Sequence, residues 1–201
     1  MMFTLMIQVV VFGLVVVSNG VVSSQHDVCT SGPLRPLIPF HHGETSSTGT
    51  VNASGSYSPE YEPYHAFSSD SVFWISKVYQ DLAWISYTFR NGQDRTVRGY
   101  RFLFCNGDSL KTRAPKRFEL QTLKVKLPED ASSSSLNIFL HADSWRTVDS
   151  RCCETLWHGC EERTYYLGTP ANGTHFRFLF HEDNDARAPI VVVSLRNIQL
   201  L

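Results

Sequence analysis

The chain has 201 residues, and its 18 basic and 19 acidic residues give a formal net charge of −1. This near balance argues against a nucleic-acid-binding protein, which needs a strongly basic face, although it is compatible with a local basic patch. Beyond its N-terminal segment the chain has no run that is long and apolar enough to cross a membrane, and its length fits one domain.

The N-terminal segment predicts a secreted protein. Residues 3–17 are almost wholly apolar, broken only by Thr4 and Gln8, as in the hydrophobic region of a secretory signal peptide. We therefore predict a signal peptide over residues 1–24. Because the apolar run approaches membrane-spanning length, an uncleaved signal-anchor helix is the alternative. In either case the rest of the chain is expected to face the secretory lumen and to be extracellular.

The next segment is rich in proline. Within residues 25–44, Pro33, Pro36 and Pro39 forbid a helix and weaken any strand ladder, so we predict an extended N-terminal arm. Residues 45–50 are only Ser, Thr and Gly, a composition typical of a linker. The folded domain is accordingly expected over residues 45–201.

Short β-strands separated by turn signals follow. Turns are indicated at Asn91-Gly92, Asn106-Gly107, residues 128–135 and Asn172-Gly173. Such spacing, without a sustained helical period, predicts an all-β sandwich. The predicted strands are Ala83–Phe89, Val97–Phe104, Arg117–Leu127, Leu136–Leu140, Thr164–Leu167, Thr174–Phe180 and Ile190–Leu200.

An eight-stranded jelly roll accounts for this pattern, because two antiparallel sheets can bury alternate side chains in one shared core. The aromatic and aliphatic side chains of these strands are read as packing residues. The predicted core comprises Trp74, Trp84, Tyr100, Phe102, Phe118, Leu120, Phe176, Phe178 and Val192.

Cysteine is the next informative residue type. In a secreted protein the default for cysteines is disulfide formation, and the sequence fixes no pairing. Cys152 and Cys153 are expected not to bond to each other, because the resulting ring would be strained. We predict two intramolecular disulfides, at least one of them anchoring the loop 152–160, and the odd thiol allows a disulfide-linked dimer. The five candidates are Cys29, Cys105, Cys152, Cys153 and Cys160.

Two Asn-x-Ser/Thr sequons begin at Asn52 and Asn172. Such sequons suit surface positions of a secreted protein, so both asparagines are predicted N-glycosylation sites.

Catalysis is not expected. The sequence has no Gly-x-Ser-x-Gly elbow, no phosphate-binding glycine loop and no His-Glu-x-x-His motif. His141 and Asp143 would share a face on a strand, but nothing places a nucleophile beside them. The group Cys152, Cys153, His158 and Cys160 has the residue types of a zinc site without the paired Cys-x-x-Cys spacing. A disulfide-stapled loop is therefore the preferred interpretation.

A series of motifs in a characteristic order runs through residues 45–201. It comprises Ala53–Tyr61, His65–Phe67, Phe73–Ser76, Trp84–Phe89, Val97–Phe102, Arg113–Gln121, Trp145–Asp149, Glu161–Tyr165, Phe176–Phe178 and Val193–Ile198. This series resembles the discoidin domain, also called the coagulation factor V/VIII (F5/8) type C domain, of the galactose-binding-like superfamily. The resemblance implies a jelly roll that acts as a non-catalytic binding module.

The resemblance also implies that ligands bind to three loops at one end of the barrel, here residues 56–64, 76–82 and 106–115. Tyrosines with cations suit a sugar, whose apolar face stacks on a ring while its hydroxyls form hydrogen bonds. The simpler alternative is that the tyrosines fold back over the loop ends. The candidate ligand-binding residues are Tyr57, Tyr61, Tyr79, Lys111 and Arg113.

Discoidin relatives often carry a structural Ca²⁺ after an Ala-Phe-Asp motif. Here Ser68 replaces the expected Asp, and Asp70 keeps the one carboxylate of that loop. Gln199 stands where sugar-binding relatives tend to have Glu. Since Ca²⁺ prefers several hard, charged oxygens, a Ca²⁺ site at Asp70 is expected to be weak, and no other cofactor is expected. The acidic run 182–185 is a second candidate, read more simply as a solvated turn.

The expected function is recognition of carbohydrate on glycoproteins or cell-surface glycans. Protein–protein binding in cell adhesion or matrix is the alternative, because Tyr and Arg also anchor protein epitopes. Binding to an anionic phospholipid surface is less favoured, since the predicted loop tips lack Trp.

Overall fold

The computed structural model describes residues 34–78, 82–105, 112–124, 142–154, 157–185 and 190–201. These residues belong to one compact unit, Leu34–Leu201. The predicted signal peptide, Cys29 and the predicted strand Leu136–Leu140 lie outside the described residues. Within the described part of the chain, no helix is long and apolar enough to cross a membrane.

Almost all regular structure in the described residues is β-strand. Short 3₁₀ helices occur at Pro59–Tyr61, Pro63–Phe67, Arg90–Gly92 and Ala142–Ser144. The strands are β1 (Gly49–Ala53), β2 (Trp74–Ile75), β3 (Ala83–Phe89), β4 (Arg95–Cys105), β5 (Pro115–Leu123), β6 (Trp145–Arg151), β7 (Cys160–Gly173), β8 (His175–Asp183), β9 (Ser194–Leu195) and β10 (Asn197–Leu200).

Two antiparallel sheets form the body of the domain. One sheet has five strands in the order β1-β3-β8-β5-β6, and the other has three in the order β10-β4-β7. The short strands β2 and β9 pair separately. The eight strands of the two main sheets confirm the predicted all-β jelly roll.

Aromatic rings fill the space between the sheets. The Phe102 ring of β4 lies 4.8 Å from the Phe178 ring of β8 and 5.3 Å from the Phe118 ring of β5, measured between centroids. Tyr100 contacts Phe178 at 5.1 Å. Offset and edge-to-face contacts at these distances stabilise a core beyond the burial of area alone. All the predicted core residues except Trp84 are buried.

The prediction that Trp84 of β3 belongs to the core is wrong. Ala83, Ile85 and Tyr87 are buried in the core, and Trp84, which points to the other face of the sheet, is only half-buried. The fully buried tryptophan of this region is Trp74, whose indole N–H donates to the carbonyl of Gly55 at 3.1 Å. A period of two defines two faces of a strand, and packing against the second sheet decides which one is inside.

Two strands of the five-stranded sheet were not predicted, β1 and β6, and they form its two edges. β1 contains residues of the predicted linker, and its backbone pairs with β3 from Gly49 to Ala53. A Cβ at Gly49 would lie 2.2 Å from the carbonyl oxygen of Thr88, so glycine is required there. Edge strands bury little of their surface, and their polar sequences therefore lack the usual apolar signal.

Part of the predicted N-terminal arm packs on the domain. The amide of Leu37 donates to the carbonyl of Leu200 at 2.7 Å, and Ile38 joins the core. His41 is fully buried, and its Nε2 lies 3.1 Å from the hydroxyl of Tyr87. The segment from Leu34 onward is therefore part of the folded unit.

Replacing the two tryptophans should have unequal effects. Trp74→Ala should lower the free energy of unfolding by about 3–5 kcal/mol, because it empties a core site. Trp84→Ala should lower it by about 1 kcal/mol, because the side chain is half-buried. Urea denaturation of the two variants measures both values. Equal losses would contradict the assignment of the inner face of β3.

His175 should make the domain sensitive to acid. Burial lowers its pKa from 6.5 to about 4, with Asp94 opposing the shift. Between pH 4 and pH 6.5 the unfolded chain therefore binds more protons at this histidine than the folded chain does. The contribution of neutral His175 to the free energy of unfolding is complete above pH 6.5 and is lost as the pH falls to 4. The loss amounts to about 3 kcal/mol.

Urea denaturation between pH 7 and pH 4 tests this. His175→Gln should show a shallower loss of stability with falling pH than the parent protein. His158→Gln is the matched control, because His158 is exposed. Identical pH profiles for the parent and His175→Gln would refute the assignment.

Candidate functional site

Several connecting segments meet at one end of the sandwich. Residue 105 at the end of β4 lies opposite residue 160 at the start of β7, and Pro115 at the start of β5 lies opposite Asp183 at the end of β8. We call this the loop end. It carries residues 54–64, 76–78, 112–114, 152–154 and 184–185. Such loops are held by rigid strands and can carry binding residues without disturbing the core.

Backbone contacts fix the first segment of the loop end. The amide of Tyr57 donates to the carbonyl of Ile75 at 2.9 Å, next to the bond from Trp74 to Gly55. Gly55 has a φ of +139°, and a Cβ there would lie 3.2 Å from the Lys77 side chain. Only glycine adopts this backbone angle without strain while allowing so close an approach.

Three of the predicted ligand-binding residues come together at the loop end. Tyr57 is 55% exposed, and the Arg113 guanidinium carbon lies 6.0 Å from the centre of its ring. The ring of Tyr61 lies 6.3 Å from that of Tyr57 and stacks on Phe73 at 5.2 Å. Phe73 was missed as a site residue because its sequence position reads as the start of a strand.

The Arg113 guanidinium donates no hydrogen bond to any residue that the structure describes. An acid that interacts with it electrostatically is Asp183, whose pKa is raised by burial and lowered in part by the Arg113 charge. The Asp183 carboxylate accepts hydrogen bonds from the amides of Val192 and Asp185, each at 2.9 Å. Backbone amides therefore occupy this carboxylate, and the donors of Arg113 remain available to a ligand.

The other two predicted ligand-binding residues, Tyr79 and Lys111, lie outside the described residues. Their participation stays a prediction. Lys77 of the same loop is exposed.

The carboxylate of Asp70 is occupied within the protein. It accepts hydrogen bonds from the amide of Val72 at 3.0 Å and lies 3.1 Å from Nδ1 of His65. Burial tends to raise the pKa of Asp70, but hydrogen bonds from Ser68 and His65 lower it overall. In the described ranges no three His, Cys, Asp or Glu side chains form a metal-binding group. The side chains at Asp70 therefore do not fit Ca²⁺, which takes six to eight oxygen ligands.

The acidic run 182–185 is also engaged. Glu182 accepts from Lys116 at 3.1 Å and from Arg117 at 2.8 Å. These ion pairs link side chains of β5 and β8 at the loop end. The run therefore belongs to the framework of the sheet rather than to an open cation site.

The prediction of two disulfides is wrong. Cys152 and Cys153 have free thiols and are exposed, and the three cysteines that remain allow only one bond within the chain. Cys160 is disulfide-bonded. In the strand register it lies opposite Cys105.

The loop 152–160 is anchored by an aromatic side chain. Trp157 is buried, and its indole N–H donates to the carbonyl of Pro115 at 3.1 Å. The Arg163 guanidinium carbon lies 4.1 Å from the centre of the Trp157 ring and also pairs with Glu154 at 2.8 Å. Burial and a cation–π contact thus anchor this loop in addition to the disulfide of Cys160, so the prediction that a disulfide anchors it is confirmed.

Both predicted glycosylation sites are exposed. Asn52 lies on the edge strand β1, and Asn172 lies near the end of β7. Glycosylation at either residue stays a prediction, as does a disulfide-linked dimer.

No family model and no curated protein matches the chain. Solved structures do. The chain is similar to a family 32 carbohydrate-binding module of Clostridium perfringens NanJ in complex with galactose, with a TM-score of 0.53 and 10% identity over 76% of this chain and 97% of that one. It is also similar to an F5/8 type C domain from Bacteroides fragilis, with a TM-score of 0.53 and 13% identity over 77% and 91%.

The chain has the discoidin-like jelly-roll fold. A structure from Streptococcus pneumoniae β-galactosidase agrees, with a TM-score of 0.57 and 13% identity over 78% of this chain and 98% of that one. Identities this low establish the fold alone. In this discoidin-like fold, Tyr57, Tyr61 and Arg113 lie on segments that the resemblance assigns to ligand binding.

The thiol assignment can be checked by alkylation. Iodoacetamide should label Cys152 and Cys153 in folded, unreduced protein, and Cys160 only after reduction and unfolding. The hydrogen bond with Cys152 raises the pKa of the Cys153 thiol, so its labelling should accelerate as the pH is raised above neutrality. Mass spectrometry of the digested protein locates the labels. Protection of both thiols in folded protein would contradict the assignment.

Proposed function

We propose that this protein is a secreted, non-catalytic module that binds carbohydrate on glycoproteins or cell-surface glycans through its loop end. The observation that carries the proposal is the pair formed by Tyr57 and Arg113. An exposed aromatic ring lies beside a guanidinium that donates no hydrogen bond to the described part of the protein.

This pair suits a sugar ring. The apolar face of a pyranose can stack on Tyr57, and the N–H groups of Arg113 can donate to its hydroxyls. Tyr61, stacked on Phe73, provides a second aromatic wall close to Tyr57. Hydrogen bonds already fix the backbone at Gly55 and Tyr57, so little conformational freedom is lost when a ligand binds.

The structural neighbours support the same class of ligand. The Clostridium perfringens NanJ module was solved with galactose, and another neighbour is a chitosan-binding module from a Paenibacillus chitosanase/glucanase, with a TM-score of 0.51, 15% identity and coverage of 76% of this chain and 92% of that one. These modules bind sugars of different chemistry. They support carbohydrate as the ligand class without selecting the sugar.

Secretion is supported by the apolar segment at residues 3–17 and by the two sequons. A non-catalytic role is supported by the described loop end. There the carboxylates of Asp183 and Glu182 are engaged by backbone amides or by cations rather than directed at a common point.

A protein epitope is the second candidate. Tyr and Arg are the residue types that most often carry binding energy in protein interfaces, so the same exposed pair favours it as well. A glycan array followed by enzymatic removal of glycans from a bound cell surface separates the two candidates. Retained binding after deglycosylation would favour the protein epitope.

Truncating the pair should weaken sugar binding. Tyr57→Ala and Arg113→Ala should each reduce affinity for an array-identified glycan about tenfold or more, because each removes a stacking or charged hydrogen-bonding contact. The matched controls are Tyr166→Ala and Arg98→Ala, which alter a 67% exposed tyrosine and an exposed arginine outside the loop end. Unchanged affinity in the Tyr57→Ala, Arg113→Ala double variant, with unchanged melting, would place the site elsewhere.

A further inference from the structure

A polar pocket lies at the opposite end of the sandwich. The first residue of β4, Arg95, is paired with Gly173 at the end of β7, whereas the other ends of these strands meet at the loop end. We call the region around Arg95 and Gly173 the far end. The pocket has a volume of about 180 Å³, and its lining includes Asp94, Lys124 and Asn172.

The polar side chains of this pocket are held in place. Asp94 Oδ1 accepts a hydrogen bond from the Thr174 hydroxyl at 2.8 Å. Lys124 Nζ donates to the carbonyl of Asp143 at 2.7 Å, which uses one of its three N–H groups. Asn172 Oδ1 accepts from the Thr96 hydroxyl at 2.5 Å, and its Nδ2 donates to no residue that the structure describes.

The wall of the pocket is rigid. Thr174 and His175 are buried, with 5% and 7% of their surface exposed. A Cβ at Gly173 would lie 2.2 Å from the hydroxyl of Thr122, so backbone forms this part of the wall. Because burial lowers the pKa of His175 to about 4, the imidazole is neutral at physiological pH. Binding pockets of this kind are preformed and place a few polar groups at fixed positions.

We infer that the far-end pocket is a second binding site for a single neutral sugar ring. The carboxylate of Asp94 accepts hydrogen bonds, while the ammonium of Lys124 and the amide of Asn172 donate them, which matches neighbouring hydroxyls of a polyol. One negative and one positive group offset each other, so neither an anion nor a cation is favoured. The volume is below the roughly 300–1,000 Å³ of pockets for drug-sized ligands, which suits one ring.

The sugar hydroxyls could come from two sources. One is an external saccharide. The other is a glycan of the protein itself, because Asn172 both lines the pocket and begins the sequon Asn172-Gly173-Thr174. Its Nδ2, the atom to which an N-glycan attaches, is the one without a described partner. A glycan at Asn172 would place its own sugar units at the pocket.

A nuclear magnetic resonance titration tests the inference. Full-length ¹⁵N-labelled protein from a host that adds no N-glycans is titrated with galactose, glucose, mannose, N-acetylglucosamine and N-acetylgalactosamine. At least one sugar should shift the amide signals of residues 172–175 in a saturable way. Lys124→Met should weaken this binding about tenfold, because it removes a charged hydrogen-bond donor from the pocket. The hydrogen bond from Lys124 to the carbonyl of Asp143, which is also lost, is exposed to solvent.

The same titration distinguishes the far-end pocket from the site at the loop end, because each site has its own amide signals and its own variant. Arg113→Ala should leave the shifts of residues 172–175 unchanged, and Lys124→Met should leave those of residues 55–57 unchanged. The far-end inference would be overturned if no neutral sugar shifts residues 172–175, or if acetate or methylammonium shifts them more strongly. Either result leaves the proposed function of the loop end untouched.

Protein from eukaryotic cells separates the two sources. If the Asn172 glycan fills the pocket, free sugar should bind the parent protein made in the host that adds no N-glycans but not the glycosylated parent. If the ligand is external, the parent should bind free sugar as well. Asn52→Gln is the matched control, because it removes the other sequon at a residue on the edge strand β1. Absence of sugar binding at the far end in all three proteins would overturn the inference.

Discussion

The aromatic layer between the two sheets is the contact on which the rest of the domain depends. Phe102 of the three-stranded sheet meets Phe118 and Phe178 of the five-stranded sheet at ring distances of 5.3 and 4.8 Å. These side chains are fully or almost fully buried, and their removal from water provides the main driving force for pairing the sheets. Once the two sheets face each other, the ends of all eight strands have fixed positions, and so do the segments that connect them.

The two ends of the sandwich present different chemistry. At the loop end, an exposed tyrosine and an arginine meet from segments that are distant in sequence, because β1 ends and β5 begins on the same side of the sheet. At the far end, a carboxylate, an ammonium and an amide surround a small pocket. The inner faces of the sheets are apolar, and several charges on the described strands pair with each other.

Internal pairing of charges explains how a nearly neutral protein can still contain a selective site. Arg163 pairs with Glu154 and Glu161 at 2.8 and 2.6 Å, and Glu182 with Lys116 and Arg117. Such partly exposed pairs contribute little stability individually, and they engage some of the cations in the described part of the chain. The side chain of Arg113 is different because its acidic neighbour, Asp183, is occupied by backbone amides. A cation of this kind can contribute to ligand binding without first breaking an ion pair.

The sequence by itself determined the all-β class, the jelly roll and most of the core, because alternation and turn residues act locally. The predicted strand Ala83–Phe89 has the observed bounds, and the predicted turn at Asn91-Gly92 is present with positive φ at both residues. Only the tertiary structure decided which face of β3 is inside, that the polar segments β1 and β6 are edge strands, and that Trp157 joins the disulfide of Cys160 in anchoring the loop 152–160. It likewise brought Tyr57, Tyr61 and Arg113 together and added Phe73. These features depend on contacts between residues far apart in the chain, and no local pattern of residue types encodes such contacts.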